Sequence, residues 1–378
     1  MAVASRSFHA FRRGSLLALL LAGVLAGCSQ RGGEALSLLD TMSGSQRPDA
    51  PEIRRQTRTL DADGTDYVVD LYRRTDGQVR ASLLLVPGVT PEGRDDPRLV
   101  EFAELLAQAR FAVTVPELPN LRELRVSAED AESIGDLLAR LASESRAERP
   151  LGLAAISYAA GPALLAASSA PPWEAPDFML AVGGYYDTEN VVRYFTTGAF
   201  REPGETDWRQ GDPHPQARWL FLRANADRLE NPADRRALQR IATRRMKDPQ
   251  ADTSLQKRRL TREGRDVLAL LENRDPDAVS ARIAELPAFL RRELADLSLA
   301  GKDLGTVDFP VLLLHGRDDP VIPYSESLRL AEALPEGTAE VTLTEGLMHV
   351  EMADSRISDG IRLYDLTVRL LELRDGLP

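Results

Sequence analysis

Residues 155–161 read Ala155-Ile156-Ser157-Tyr158-Ala159-Ala160-Gly161 and set one serine between an apolar run and a run of small residues. Upstream, Leu151 to Ile156 reads as a short buried strand. Downstream, Gly161-Pro162-Ala163-Leu164-Leu165-Ala166-Ala167 reads as a helix whose first turns carry almost no bulk. A serine at such a strand-to-helix corner presents its hydroxyl to a substrate carbonyl and a histidine together. Only small neighbours two residues to either side let the backbone turn that tightly, and the usual pattern is G-x-S-x-G. Ala155 and Ala159 fill those two positions here. A serine among alanines means little alone, so its neighbours along the chain decide.

Working outward, apolar runs alternate with helical patterns. Tyr67 to Tyr72 reads as a strand, with Asp76-Gly77 as the turn after it, and Ala81 to Val86 is a continuous apolar run suited to a central parallel strand. Leu99, Phe102, Leu105 and Leu106 recur at helical spacing, Phe111 to Val115 is strand, and Ser127 caps a helix faced by Ile134, Leu137, Leu138 and Leu141. Phe178 to Val182 is the strand after the serine segment. This rhythm predicts an α/β fold, a mostly parallel sheet covered by helices on both faces. It breaks after Gly183-Gly184. From about 187 to 305 the chain is charged, arginine-rich and helical in pattern, which reads as a cap inserted between two strands. Phe195, Phe200, Trp208 and Trp219 fall early in it, mostly as its own small core, with some expected to line the acyl or alcohol pocket. Val311 to Leu314, a helix around Ser325 to Ala333, a strand near Val341 to Leu343 and a last helix from Ile357 to Leu371 resume the pattern. The expected organisation is a leader over 1–27, a flexible tether over 28–55, core over 56–186, cap over 187–305 and core again over 306–378.

The start of the chain is basic (Arg6, Arg12, Arg13), then apolar from Leu16 to Ala26, and ends in Leu25-Ala26-Gly27-Cys28. So short an apolar stretch falls below the length needed to span a hydrocarbon layer about 30 Å thick, and it reads as an export signal. Leu25 to Cys28 resembles the lipobox of bacterial lipoproteins. That resemblance implies a thioether-linked diacylglycerol on Cys28, which becomes the mature N-terminus, and a membrane as partner. Ser29 rather than aspartate after the cysteine favours the outer membrane of a two-membrane cell. Cys28 is the single cysteine, so no internal disulfide is expected. The formal charge of −11 moves to −14 once residues 1–27 and their three arginines are removed. With no basic stripe in view, nucleic acid is not an expected partner.

Three more features fall at strand ends: Pro87-Gly88-Val89-Thr90, His315-Gly316-Arg317-Asp318-Asp319-Pro320, and Gly346-Leu347-Met348-His349. In open parallel sheets the carboxyl ends of strands share one rim, where sites are built. A serine, an acid and a histidine in that order suit nucleophilic acyl transfer. From about residue 65 onward the chain resembles the α/β-hydrolases. The serine turn, the P-G loop, H-G-x-x-D and the final G-x-x-H carry that resemblance together. It implies Ser157 as nucleophile, Asp319 as acid, His349 as base, and the N–H groups of Val89 and Tyr158 as oxyanion hole, with no cofactor and no metal. Alanine replaces glycine on both sides of the serine, and Pro87 stands where many relatives carry histidine; neither change removes a reacting group.

After the leader only His214, His315 and His349 remain. The family's H-G histidine packs structurally, which sets His315 aside, and His214 lies in a cap loop with no sheet rim expected beside it. Asp318 is expected to be a solvated or capping residue. The reading is thus a membrane-anchored serine hydrolase, a carboxylesterase acting on a small ester or acyl substrate. A catalytically silent scaffold, an amide or C–C hydrolase and an acyltransferase remain as alternatives. Asp-nucleophile relatives are excluded by the serine. Acyl length, stereochemistry and oligomeric state are not legible.

Overall fold

The computed structural model describes residues 30–42, 50–145, 149–345, 347–348, 351–352 and 357–377. Cys28, Gly346 and His349 lie outside them.

Eight strands form one sheet: β1 Ile53–Ala62, β2 Thr65–Arg74, β3 Ala81–Val86, β4 Phe111–Pro116, β5 Leu151–Ile156 and β6 Phe178–Val182. After a two-residue ladder of β7 (Ala199–Phe200) and β8 (Arg209–Gln210) in the cap come β9 Val311–Gly316 and β10 Ala339–Thr344. The sheet order is β1-β2-β4-β3-β5-β6-β9-β10, antiparallel at β1/β2 and β2/β4 and parallel elsewhere. The expected mostly parallel α/β sheet is what the chain forms.

Its central strands are buried on both faces, so successive side chains feed two cores. Leu84 and Val86 of β3 join Ile134, Leu137, Leu138 and Leu164 on one face. Leu83 and Leu85 join Leu99, Leu106, Phe111 and Leu371 on the other. Helix Glu129–Ser145 keeps its apolar stripe against the first face, and helices Pro97–Gln108 and Ile357–Arg374 keep theirs against the second.

Residues 187–298 make the cap, whose helices enclose a separate core including Trp219, Leu222, Leu238, Ile241, Leu268, Leu271 and Val279. Leu299 and Leu304 already pack in the sheet core, a few residues before the boundary expected at 305. Of the four early aromatics, Trp219 and Phe195 belong to the cap core. Phe200 packs edge-on against Tyr194 and Tyr324, and Trp208 lies under the guanidinium of Arg201.

Two features differ from the sequence reading. β1 and β2 form a hairpin across Asp63-Gly64, both at positive φ, the turn that Asp-Gly favours. Its polar, mostly exposed outer strand hid it from an apolar pattern search. The stretch expected to be a flexible tether contains a helix over residues 30–42, with Ala35 and Leu38 buried in the sheet's second core. Small and apolar residues at spacing three give it a face to bury despite a polar composition.

Candidate active site

Ser157 follows β5 directly and opens a tight turn, residues Ser157–Ala159, before helix Ala160–Ser169. Its φ is +57°, the left-handed region that side chains with a Cβ enter at a cost of about 1–2 kcal/mol. A non-glycine residue held there marks a place where surrounding structure fixes the backbone against its preference. Ala159 sits at φ −63°, ordinary helical backbone, so alanine serves where the G-x-S-x-G pattern has glycine. Gly161 cannot be enlarged in the same way: a Cβ there would run into the ring of Tyr185. Tyr185 is buried and donates to the Leu297 carbonyl at 2.9 Å, so the serine turn, the cap opening and the cap's return are packed as one.

The Pro87–Thr90 loop closes over the serine. A Cβ on Gly88 would stand 3.6 Å from Ser157 Cβ, so this loop and the turn are in contact distance. Together with Asp96, Arg98, Leu99 and Ile156 they line a cleft of about 80 Å³ that includes Val89 and Ser157. Asp96 caps helix Pro97–Gln108 through the Arg98 N–H at 3.0 Å. The Arg98 guanidinium beside it holds its carboxyl below the usual range, the hydrogen bond outweighing burial.

Tyr158, the residue after the serine, is anchored at its far end. Its hydroxyl accepts from the Ser127 N–H at 2.9 Å and lies 3.0 Å from both Asp130 Oδ2 and the Ser127 carbonyl oxygen. Its ring stacks on Tyr185, centroids 6.2 Å apart. Asp130 is buried, and burial raises its pKa above the usual value even though Asn120, Tyr158 and the Ser127 N–H bond it. This network fixes the main chain at Tyr158 to the start of helix Glu129–Ser145. The sequence reading missed Asp130 and Asn120, since polar residues at a helix start read as ordinary capping.

Asp319 sits in the turn after β9, two strands across the sheet from β5, about 10 Å at normal strand spacing. It is buried, and its Oδ1 accepts from the N–H groups of Val321 (2.8 Å) and Ile322 (3.0 Å). Its Oδ2 lies 3.6 Å from His315 Nε2. A Cβ on Gly183, at the end of β6, would come within 3.4 Å of the same oxygen. Asp318 is exposed, as expected.

His315 is wholly buried with both ring nitrogens engaged. A carbonyl only accepts, so Nε2 carries a hydrogen toward the Ile322 oxygen at 3.0 Å, while Nδ1 bonds Ser327 Oγ at 2.7 Å. This is a structural histidine. His214 is exposed, but the sheet rim does lie beside it: its N–H donates to the Pro320 carbonyl at 2.8 Å, and its Nδ1 accepts from Gln216 N–H at 3.3 Å. The cap loop folds down onto the turn after β9, an approach that no local pattern encodes.

Glu326 is a further residue the sequence reading passed over. Fully buried, it accepts from the N–H groups of Tyr186 (3.1 Å) and Asp187 (2.7 Å) where the chain enters the cap. Burial pushes its carboxyl up to about 7. It lines a cavity of about 410 Å³ with Asp187, Arg193, Arg201, Trp208 and Arg329. That cavity shares no lining residue with the serine cleft.

No protein-family model and no curated protein matches the chain. Solved structures do. A Legionella pneumophila protein provisionally described as a hydrolase is 14% identical, with 90% of this chain and 95% of that one covered at a TM-score of 0.52. A bacterial membrane phospholipase A described as a virulence factor is 18% identical over 96% and 99% of the two chains, TM-score 0.43. The Pyrococcus horikoshii acylaminoacyl peptidase is 11% identical over 78% of this chain at TM-score 0.41, and this chain spans 37% of its length. With the strand order above, the likeness to the Legionella structure defines the class: the chain has the α/β-hydrolase fold.

Proposed function

We propose that this chain is a serine hydrolase of carboxylic esters, held on a membrane by a lipid on Cys28. Ser157 is the nucleophile, Asp319 the acid and His349 the base, with the N–H groups of Val89 and Tyr158 as the oxyanion hole. One observation carries the reading. A serine strained at φ +57° ends a central parallel strand under the Gly88 loop, while a buried, doubly N–H-bonded carboxylate ends a strand two places away. A nucleophile and an orienting acid at that separation leave room for one imidazole between them. The chain supplies one five residues after β10, whose last residue, Thr344, pairs with Gly316 on the rim that bears Asp319.

In this mechanism His349 takes the Ser157 proton as Oγ attacks the ester carbonyl, and Asp319 stabilises the imidazolium that forms. The two N–H groups face the oxygen that gains charge, a contact worth about 2.7–4 kcal/mol per donor. Collapse expels the alcohol, which takes the proton from His349. Water, activated by the same base, then releases the acid and restores the serine.

The test is covalent labelling by a fluorophosphonate together with turnover of p-nitrophenyl acetate and butyrate. Labelling and turnover are expected in the wild type and lost in Ser157→Ala. Absence of both in the wild type overturns the reading in favour of a silent scaffold.

A further inference from the structure

The helix over residues 30–42 is clamped to the end of the chain. Gly32, Ala35 and Leu38 face inward, and a Cβ on Gly32 would stand 2.7 Å from Tyr364 Oη, so glycine is what permits this approach to helix Ile357–Arg374. Arg374 is wholly buried and donates from Nη1 and Nη2 to the two oxygens of Glu34, at 2.6 and 3.2 Å. Its Nη1 also donates to the Ala109 carbonyl at 2.8 Å. Asp375 accepts from Arg31 Nε at 3.1 Å and Arg80 Nη1 at 3.0 Å.

These partners share one place in the fold. Arg80 immediately precedes β3, Ala109 lies just before β4, and Pro150, which precedes β5, neighbours Gly376. The clamp therefore sits where the parallel strands begin. Ser157 sits where β5 ends, six residues further on at about 3.3 Å each, so about 20 Å away. Arg31 is three residues after Cys28, and a chain that long reaches at most about 10 Å. A free tether over residues 28–55 would instead reach about 90 Å and orient nothing.

We propose that the strand-start rim is the membrane-facing surface of this protein, and that its partner is the bilayer holding the Cys28 lipid. The cleft and cap are thereby turned to the aqueous side. This rests on the lipid attachment proposed above. Leu36, two residues after the clamped Glu34, and Leu377, next to Gly376, are both exposed apolar side chains. The consequence for function is that the serine meets substrates arriving from the aqueous phase, not lipids of the leaflet that carries the anchor.

The experiment uses the full lipidated chain with a dye on Gln78→Cys, exposed near the start of β3, or on Arg240→Cys, exposed on the cap. Each is reconstituted in phosphatidylethanolamine/phosphatidylglycerol vesicles containing a headgroup-labelled acceptor. Energy transfer should be severalfold stronger from position 78. Equal transfer from both overturns the orientation. Ala35→Arg, which puts an unpaired charge in the buried face, should even out the two positions; a contrast that persists overturns the helix as the orienting element. Arg31→Ala with Glu34→Gln is the milder variant should Ala35→Arg fail to fold, as a thermal melt and ester turnover would reveal. Labelled palmitate separates the two readings. No incorporation, or incorporation that survives Cys28→Ser, overturns the anchor, whereas Cys28-dependent incorporation with equal transfer overturns the orientation alone.

Discussion

The Tyr194 hydroxyl donates to the main-chain carbonyl of Asp319 over 2.9 Å, joining the first cap helix to the turn that carries the acid. One residue on, the His214 N–H donates to Pro320. The Asp319 turn is thus held from above by the cap as well as from within by its own N–H groups. Tyr194→Phe keeps the ring's edge contact with Phe200 and removes the buried donor. The net loss expected for one such bond is about 0.5–1.5 kcal/mol, seen as a lower melting temperature. If the strut positions the acid, kcat for p-nitrophenyl acetate falls severalfold while KM stays near the wild-type value. An unchanged kcat would show that the cap only covers the rim.

Strain at Ser157 sets stability against activity. Glycine relieves the left-handed backbone and alanine does not, while both delete the hydroxyl, so comparing the two isolates the backbone effect. Ser157→Gly should be more stable than Ser157→Ala by about 1 kcal/mol, and both should be inactive. Denaturant unfolding measures the difference. Equal stabilities would remove the argument that the turn stores strain.

Much of this was legible in the residues, for identifiable reasons. Strands buried on both faces, such as Ala81–Val86 and Leu151–Ile156, read as continuous apolar runs, and that alone set the sheet and the rim. That Ser157 and Asp319 fall on one rim was legible because each closely follows such a strand. What escaped depends on contacts between distant segments. The helix at 30–42 is polar in composition, and its docking rests on Arg374 and Asp375, more than 300 residues away. The strand Ile53–Ala62 is mostly polar, and only Asp63-Gly64 announced its hairpin. Glu326 looked like any acid in a first helical turn until the cap-entering strand end placed Tyr186 and Asp187 against it.

Glu326 should make stability fall as pH rises. Its folded carboxyl is raised to about 7 against an ordinary 4.5, so the folded state holds the proton more tightly than the unfolded one. That contribution is fully present below 4.5 and is lost as pH climbs through about 7. Glu326→Gln retains an acceptor for the Tyr186 and Asp187 N–H groups without a charge to bury. The variant should match the wild type near pH 4.5 and exceed it at pH 8, as followed by melting temperature. A difference independent of pH would contradict the buried titration.

Asp375 works with the opposite sign. Burial alone would raise its carboxyl, but the bonds from Arg374, Arg31 and Arg80 outweigh it and hold the group at about 2 against 3.8. Its contribution is present above 3.8 and is lost as pH falls through about 2. Hydrogen exchange over residues 30–42 should accelerate across that window in the wild type. Asp375→Asn should already exchange faster at pH 5, with a weaker further change on acidification. Identical exchange in the two proteins would mean that the apolar face alone holds the helix.

His214, His315 and His349 give the most direct check on the chemistry. With a histidine as base, kcat/KM should rise with pH through about 6.5 as the imidazole loses its proton. His349→Asn should abolish that rise together with almost all turnover. His214→Asn should keep both, because its side chain contacts the Gln216 N–H and only its main chain holds Pro320. His315→Asn should lower the melting temperature, since both ring nitrogens bond buried groups, while leaving the pH midpoint of the remaining activity in place. A flat profile from pH 5 to 8, or one whose midpoint moves only on changing His214, would transfer the base away from His349.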